Sequence, residues 1–272
     1  MNIRASFNTI ILEEAEPGIA VLRLNRPESL NAMNLEMLGE LKQVFSILNE
    51  DASVRVVIIT GNGRGFCSGA DLADAAQEID SEYFSDPETF LRRVQETYSS
   101  VILTMRSLPQ PIIAAVNGPA AGGGFCMAMA SDIRIASGEA YFVASFINIG
   151  LSGGELGSSF FLPRLIGLSR ASDILCTGRK VFADEAEQIG LVSRAVPPGE
   201  LMSTALTYAR MMTAKSFGSL KFTKRALDVN ITAPSLESAI EFENRNQTML
   251  LFSGDFARLI QSFSPGSKKT SS

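Results

Sequence analysis

Two short glycine-dense segments, Cys67-Ser68-Gly69-Ala70-Asp71 and Gly122-Gly123-Gly124-Phe125-Cys126, have the residue types to do chemistry with main-chain atoms. Each follows an apolar run: VRVVIIT leads into GNGRGFCSGAD, and PIIAAVNG leads toward the triple glycine. Without a Cβ, a ligand carbonyl can approach the backbone closely, and a helix starting there aims unpaired N–H groups and its positive dipole end at the ligand. Two such N–H groups converging on one oxygen would form an oxyanion hole. Glycine-rich turns also serve plain packing of helix against strand, and the local pattern leaves both readings open. Cys126 adds a thiol near that helix start, where a lowered pKa can make a nucleophile. A small apolar residue filling space is the plainer reading of the same position.

One count limits the proton-transfer chemistry. The 272 residues include no histidine, which removes Ser-His-Asp and Cys-His systems, imidazole bases and histidine metal sites together. Acid and base work then falls to Asp, Glu, Lys, Tyr or Cys, and no metal centre is expected. Apolar residues make up 46% and charged residues 19%, enough for a globular core and too little charge for a disordered chain. The net charge of −5 offers no basic field for a phosphate backbone, so nucleic acid is not an expected partner. Three cysteines without a CxxC pair favour a reducing compartment, and the N-terminal residues lack the apolar stretch of a signal peptide. The cytoplasm is the expected location.

The elements that must position these segments follow from periodicity. FNTIILEE and GIAVLRLN flank Pro17-Gly18 as a hairpin. Leu35, Leu38, Leu41, Phe45 and Leu48 recur at three- and four-residue steps after Asn34, which predicts an N-capped amphipathic helix. Residues 107–131 are uncharged and long enough to span a bilayer, but Pro109, Pro111, Pro119 and the glycines break any single helix. They read as strand, turn and buried helix, with no membrane association. Residues 70–110 read as mostly helical, with a break near Ser85-Asp86-Pro87 and an acidic first part including Asp71, Asp74, Glu78, Asp80 and Glu82. That part is a solvated face or a flap over a pocket, to which Tyr83, Phe84 and Phe90 would add an apolar lining. Strand, helix and strand joined by glycine turns predict α/β architecture with parallel pairing. A core over 1–197, a helical region over 198–264 and a disordered tail over 265–272 complete the expected organisation.

LNRPESLNAMN at 24–34, GNGRGFCSGADL at 61–72 and PIIAAVNGPAAGGGFCMAMASDIRIA at 111–136 resemble the crotonase superfamily of enoyl-CoA hydratases and isomerases. FINIGL, LPRLIG, ILCTGRKVFADEAEQIGLVSRAV and SLESAIEFENRNQTMLLFSGDF match further in order. The resemblance covers roughly residues 7–264. It implies a spiral of ββα units with a C-terminal helical trimerisation region, assembled as a homotrimer or dimer of trimers. It also implies an acyl-CoA thioester as substrate, with coenzyme A part of that substrate and no separate cofactor. Carried over position by position, the peptide N–H groups that hold the thioester oxygen fall on Ala70 and Gly123. The coenzyme A contacts fall on Ser29 and Leu30 and on the loop Ser68, Gly69, Ala70, Asp71 and Leu72.

The carboxylates of the resembled hydratases are replaced: their two glutamate positions are Cys126 and Phe146 in this chain. Neither can act as a carboxylate in two-group hydration. An acidic residue that the dienoyl-CoA isomerase branch carries in the following loop aligns, with one residue of length difference, on Glu155 in GLSGGELG. Glu155 then reads as a base, or as an acidic residue favoured at the start of the next helix. A lone carboxylate suits removing a proton at one carbon and returning it at another, so double-bond isomerisation is the leading expectation. A hydratase with unconventional acid and base groups, and a catalytically silent acyl-CoA-binding protein, are the alternatives.

Overall fold

A computed structural model describes residues 7–77 and 86–262 of the chain. Strands β1 (Ile10–Glu16) and β2 (Ile19–Leu24) form the expected antiparallel hairpin, turned at Gly18 with φ +81°. Helix α1 (Leu35–Glu50) begins at Asn34, whose Oδ1 accepts a 3.0 Å hydrogen bond from the Met37 N–H. Its buried stripe is Met37, Leu38, Leu41, Val44, Phe45 and Leu48; Leu35, expected in that stripe, sits in the first turn and is exposed. Six buried apolar side chains contribute on the order of 10 kcal/mol gross, which is why packing and not propensity holds this helix.

Strands β3 (Val56–Gly61), β4 (Ile112–Val116), β6 (Ile133–Ser137) and β9 (Arg194–Val196) extend β2 into a six-stranded sheet of order β1-β2-β3-β4-β6-β9, parallel beyond the hairpin. Alternate residues serve opposite faces, as the two-residue period of a strand requires. Ala20, Leu22, Val57, Ile59 and Ala114 join the core that includes α1. Ile19, Val21, Val56, Ile58, Ile113 and Ile135 pack against Leu201, Ala205 and Ala209 of a helix on the other side.

A second, shorter sheet is built from β5 (Ala120–Ala121), β7 (Tyr141–Val143) and β8 (Val181–Phe182). Isolated parallel bridges continue this ladder backward, pairing Cys67 with Ala120 and Met33 with Ala70. Each turn of the chain therefore contributes a long strand to the first sheet, a short extended piece to the second, and then a helix. After β3 the helix is α2 (Leu72–Gln77); after β4 and β5 it is α5 (Gly123–Ala130); after β6 and β7 it is α6 (Ser158–Ile166). This is the expected ββα spiral. The uncharged stretch 107–131 becomes β4, β5 and the wholly buried α5, and among the described residues no helix is long and apolar enough to cross a membrane.

The helical stretch before β4 is α3 (Pro87–Phe90), a π-helical turn over Leu91–Gln95, and α4 (Glu96–Ser107), with Asp86 capping the start. After α6 come α7 (Leu168–Thr177), α8 (Ala183–Gln188) and α9 (Leu201–Thr213). The chain divides into compact units at Met1–Met212 and Thr213–Ser272, later than the change from strand to helix near residue 197 suggests. The reason is α9: Leu201, Ala205 and Ala209 are buried on the sheet, so α9 packs with the core. The second unit comprises α10 (Phe217–Asn230), α11 (Leu236–Leu251) and α12 (Gly254–Ser262), the first two capped by Ser216 and Ser235. Residues 263–272, the expected tail included, lie outside the described residues.

Two glycines test this packing in opposite directions. Gly39 lies mid-helix in α1 with nothing within 4 Å of an added Cβ, so Gly39→Ala should stabilise the protein by about 0.5–1 kcal/mol through reduced unfolded-state entropy. A Cβ on Gly124 would meet the Cys67 carbonyl oxygen at 2.2 Å, so Gly124→Ala should destabilise by about 1–3 kcal/mol despite the same gain in helix propensity. Urea unfolding midpoints measure both, and equal shifts of one sign would contradict the close-packed contact.

Candidate active site

The spiral brings the two glycine segments together at equivalent points of successive turns, each between a second-sheet bridge and the first turn of a helix. A Cβ on Gly69 would lie 3.0 Å from the Ala121 oxygen and 3.4 Å from the Gly123 nitrogen, so the two backbones are in contact there. Gly69 has φ +97° and Gly122 φ +51° with ψ −120°, conformations that a side chain would strain. The amides around the contact have acceptors: Ser68 N–H donates to the Leu30 oxygen, Asp71 N–H to Met33, and Gly122 N–H to Val143. Those of Ala70 and Gly123 donate to no acceptor among the described residues. Gly123 opens α5, so its N–H is one of the orphans at a helix start.

Side chains pack closely against the Gly122 and Gly123 backbone. A Cβ on Gly123 would be 2.4 Å from the Met33 Cε and 3.4 Å from the Leu156 Cδ1. One on Gly122 would be 3.0 Å from the Ser145 Oγ and 3.4 Å from the Phe146 ring. Among the described residues, the non-glycine residues at positive φ are Leu30, Asn31 and Leu156. All lie in the loops that make this site, where backbone strain tends to collect. Buried Asn31 stabilises its own turn, accepting from the Arg26 N–H at 2.9 Å and donating to the Asn62 and Gly65 carbonyls.

The other expected contact residues lie in the adjoining loops. Ser68 is locked to the neighbouring loop, its hydroxyl donating to the Ser29 oxygen at 3.1 Å, while the Ser29 hydroxyl donates to the Arg26 oxygen. Leu30 is half-buried against Gly65, and Leu72 is 57% exposed at the start of α2. The Asp71 side chain faces inward: it pairs with Arg26 at 2.8 Å and accepts from the Ala73 and Asp74 N–H groups, capping α2. Burial pushes its pKa up, but the Arg26 hydrogen bond and the α2 amides outweigh that and hold the carboxyl below its usual range. Glu78, Asp80, Glu82, Tyr83 and Phe84 of the suggested flap lie outside the described residues; Phe90 is half-buried in α3.

Glu155 is half-buried and held from several sides. Its N–H donates to the Ser158 Oγ at 2.9 Å, its carbonyl accepts from the Ser158 N–H at 2.8 Å, and the Cys126 thiol reaches that carbonyl at 3.3 Å. Its carboxylate Oε1 accepts a hydrogen bond from the Gln95 Nε2. The next residue, Leu156, packs against Gly123, so the Glu155 loop lies beside the start of α5. α6 starts at Ser158 with Gly157 as its cap, so Glu155 lies just ahead of the helix start.

Cys126 is a correction to the helix-start expectation. The thiol is fully buried on α5, and burial first, then the charge of Glu155, drives its pKa far above the ordinary thiol value. Cys67 is likewise pushed up to about 12 by burial. A thiol so held stays protonated and works as a donor and packing group, not as a nucleophile. Gln95 and Tyr98 were not legible as site residues, because polar side chains on an amphipathic helix read as solvent-facing. Tyr98 donates its hydroxyl to the Met33 oxygen at 2.9 Å, and burial pushes its pKa to about 12.

An α/β spiral with two backbone amides lacking acceptors among the described residues and a carboxylate hydrogen-bonded to Gln95 defines a class of site rather than an activity. The enoyl-CoA hydratase/isomerase family matches residues 14–266. A "Probable enoyl-CoA hydratase" of Mycobacterium bovis is 46% identical over 244 residues, covering 90% of this chain and 85% of the relative. The structure of a probable enoyl-CoA hydratase/isomerase from Mycobacterium abscessus superposes with a TM-score of 0.81 at 43% identity, covering 89% of this chain and 90% of that one. That of a monofunctional enoyl-CoA isomerase from M. smegmatis gives 0.73 at 44% identity, covering 85% and 98%. The protein belongs to the enoyl-CoA hydratase/isomerase family and has the crotonase fold.

In native protein, a thiol reagent should modify one cysteine per chain, exposed Cys176, while buried Cys67 and Cys126 react only after unfolding. Rapid native labelling of Cys126, mapped by mass spectrometry, would revive the nucleophile reading. The Arg26–Asp71 pair gives a pH test of its own. Because the folded pKa of Asp71 is depressed, its contribution is present above the unfolded value of about 3.9 and lost as pH falls through the folded value. Asp71→Asn should therefore cost about 1–3 kcal/mol at pH 7, and the difference from wild type should shrink below about pH 4. Urea melts at both pH values measure it.

Proposed function

We propose that this protein is an enoyl-CoA isomerase that moves a double bond between the 3- and 2-positions of an acyl-CoA thioester. One observation carries the reading: Cys126, buried, and Phe146, partly buried, occupy the positions where the family resemblance puts the hydratase glutamates, while Glu155 lies in the loop packed against Cys126. Hydration needs one group to activate water and another to handle the α-proton. Isomerisation needs a single carboxylate and a dry pocket, and Met33, Phe146 and Leu156 line this one with apolar atoms.

The proposed reaction runs in these steps. The thioester oxygen accepts hydrogen bonds from the Ala70 and Gly123 N–H groups, with the coenzyme A moiety held along Ser29, Leu30 and the loop Ser68 to Leu72. The Glu155 carboxylate removes a proton from the α-carbon of the 3-enoyl thioester. The electron pair delocalises into a dienolate whose negative charge rests on the thioester oxygen. Glu155 then returns the proton to the γ-carbon, leaving the 2-enoyl thioester and a regenerated carboxylate. Each oxyanion donor is worth about 3–4 kcal/mol of transition-state stabilisation in comparable sites. Coenzyme A enters with the substrate, and no other cofactor takes part. A trimer or dimer of trimers in the cytoplasm completes the proposal. Exposed Leu227, Ile231 and Phe252 in the second unit supply apolar surface for subunit contact. The hydratase naming of the Mycobacterium bovis relative supports a second reading, hydration of 2-enoyl-CoA with other acid and base groups.

Purified wild-type protein should isomerise 3-enoyl-CoA and leave 2-enoyl-CoA unhydrated, with Glu155→Gln lowering kcat by about 10²- to 10⁴-fold. Acyl-CoA affinity should stay within about twofold, since Glu155 contributes to the transition state and not to uniform binding. Hydration faster than isomerisation would favour the hydratase reading. Binding with neither reaction would make the protein a silent acyl-CoA carrier, and full activity in Glu155→Gln would place the proton carrier elsewhere.

A further inference from the structure

We infer that Gln95 is a positioning residue for the Glu155 carboxylate, a role that rests on the isomerase reading. The Gln95 amide Nε2 donates to the Glu155 Oε1, and among the described residues the other polar contacts of Glu155 engage its main chain. The loop thus fixes the Glu155 backbone, and Gln95 fixes where its carboxylate points. Gln95 is the last residue of the π-helical turn, in which the Glu96 N–H reaches back to the Leu91 oxygen. Such turns insert an extra residue into a helix and recur at functional sites.

The same helix also sets the other side of the cleft. Three residues on from Gln95, Tyr98 donates to the Met33 oxygen, which accepts as well from the Asp71 N–H, adjacent to Ala70. One helix face therefore holds both the proton carrier and the segment bearing one oxyanion donor. Its registration sets the distance between base and enolate. A carboxylate that must serve two carbons in one turnover needs a defined position at each, and a displacement of about 1 Å can cost on the order of 10²-fold in rate.

The test separates the hydrogen bond from shape. Gln95→Met keeps the length and helix propensity of the side chain but has no donor, whereas Gln95→Lys keeps a donor of similar reach. Gln95→Met should lower kcat by about 10- to 100-fold with KM within about twofold, and Gln95→Lys should restore most of it. For turnover in D₂O, Gln95→Met should raise the fraction of product carrying solvent deuterium, because a loosely held carboxylate loses its proton before returning it. In a Glu155→Gln background, Gln95→Met should cost less than about twofold more, since the pair acts as one unit. Circular dichroism melts check folding; if Gln95→Met does not fold, the isosteric Gln95→Glu, which sets a like charge against Glu155, should show the same loss of kcat. Unchanged kcat and deuterium content, or equal impairment by Met and Lys, overturns the inference while an inactive Glu155→Gln leaves the isomerase reading standing. Full activity of Glu155→Gln, or no isomerisation by wild type, overturns both.

Discussion

The contact between Gly69 and the Gly122–Gly123 backbone is the constraint on which the rest of the site depends. A side chain at any of these positions would strain the backbone or meet a neighbour within about van der Waals distance: the Ala121 oxygen for Gly69, the Ser145 hydroxyl for Gly122 and the Met33 methyl for Gly123. With glycine there, two turns of the spiral close until the Gly69 and Gly122–Gly123 backbones are in contact. The spiral explains why the two meet. Each amide sits where a chain turn leaves the small sheet and enters its helix, and Cys67–Ala120 pairing keeps those exits in register. Leaving the Ala70 and Gly123 N–H groups without acceptors among the described residues costs stability.

Around this contact the structure assigns polar residues to holding loops rather than to reacting. Asp71 pairs with Arg26 and caps α2, Asn31 satisfies a left-handed turn, and Ser158 closes the Glu155 loop through the Gly153 carbonyl. Cys126 belongs to this group. On the buried face of α5, its thiol spans from the helix bearing Gly123 to the carbonyl of Glu155. A glutamate there would put a second carboxylate into the cleft; a cysteine of small volume lets the Glu155 loop lie against the helix. Phe146 has a comparable effect, setting a ring against Gly122 where a charged group would draw in water. With Cys126 and Phe146, neither of these two positions carries a carboxylate.

Much of this was legible in the residues. The α1 stripe, its Asn34 cap and the hairpin at Gly18 follow from local periodicity and turn chemistry, because each depends on neighbours a few residues apart. The five-residue strands β4 and β6 and the buried α5 follow less securely, since an uncharged run of strand length and one of helix length look alike. Strands β5 and β8, two residues each, carry no periodic signal at all and exist only because the spiral brings them beside β7. The compact-unit boundary moved to Met212 for the same reason: nothing local in α9 distinguishes a helix packed on the sheet from one in an appendage, and only the burial of Leu201, Ala205 and Ala209 decides it.

By itself the sequence determined which chemistry this protein lacks and which family it joins. The absence of histidine and the Cys126 and Phe146 replacements are statements of residue type, and ordered motifs need no coordinates to be recognised. Only the tertiary structure decided which groups meet. Gln95 and Glu155 are sixty positions apart, and their hydrogen bond follows from the packing of a helix against a loop, not from any spacing along the chain. The thiol of Cys126 was decided in the same way. A position near a helix start favours the thiolate, but complete burial beside a carboxylate favours the protonated form, and desolvation is the larger effect.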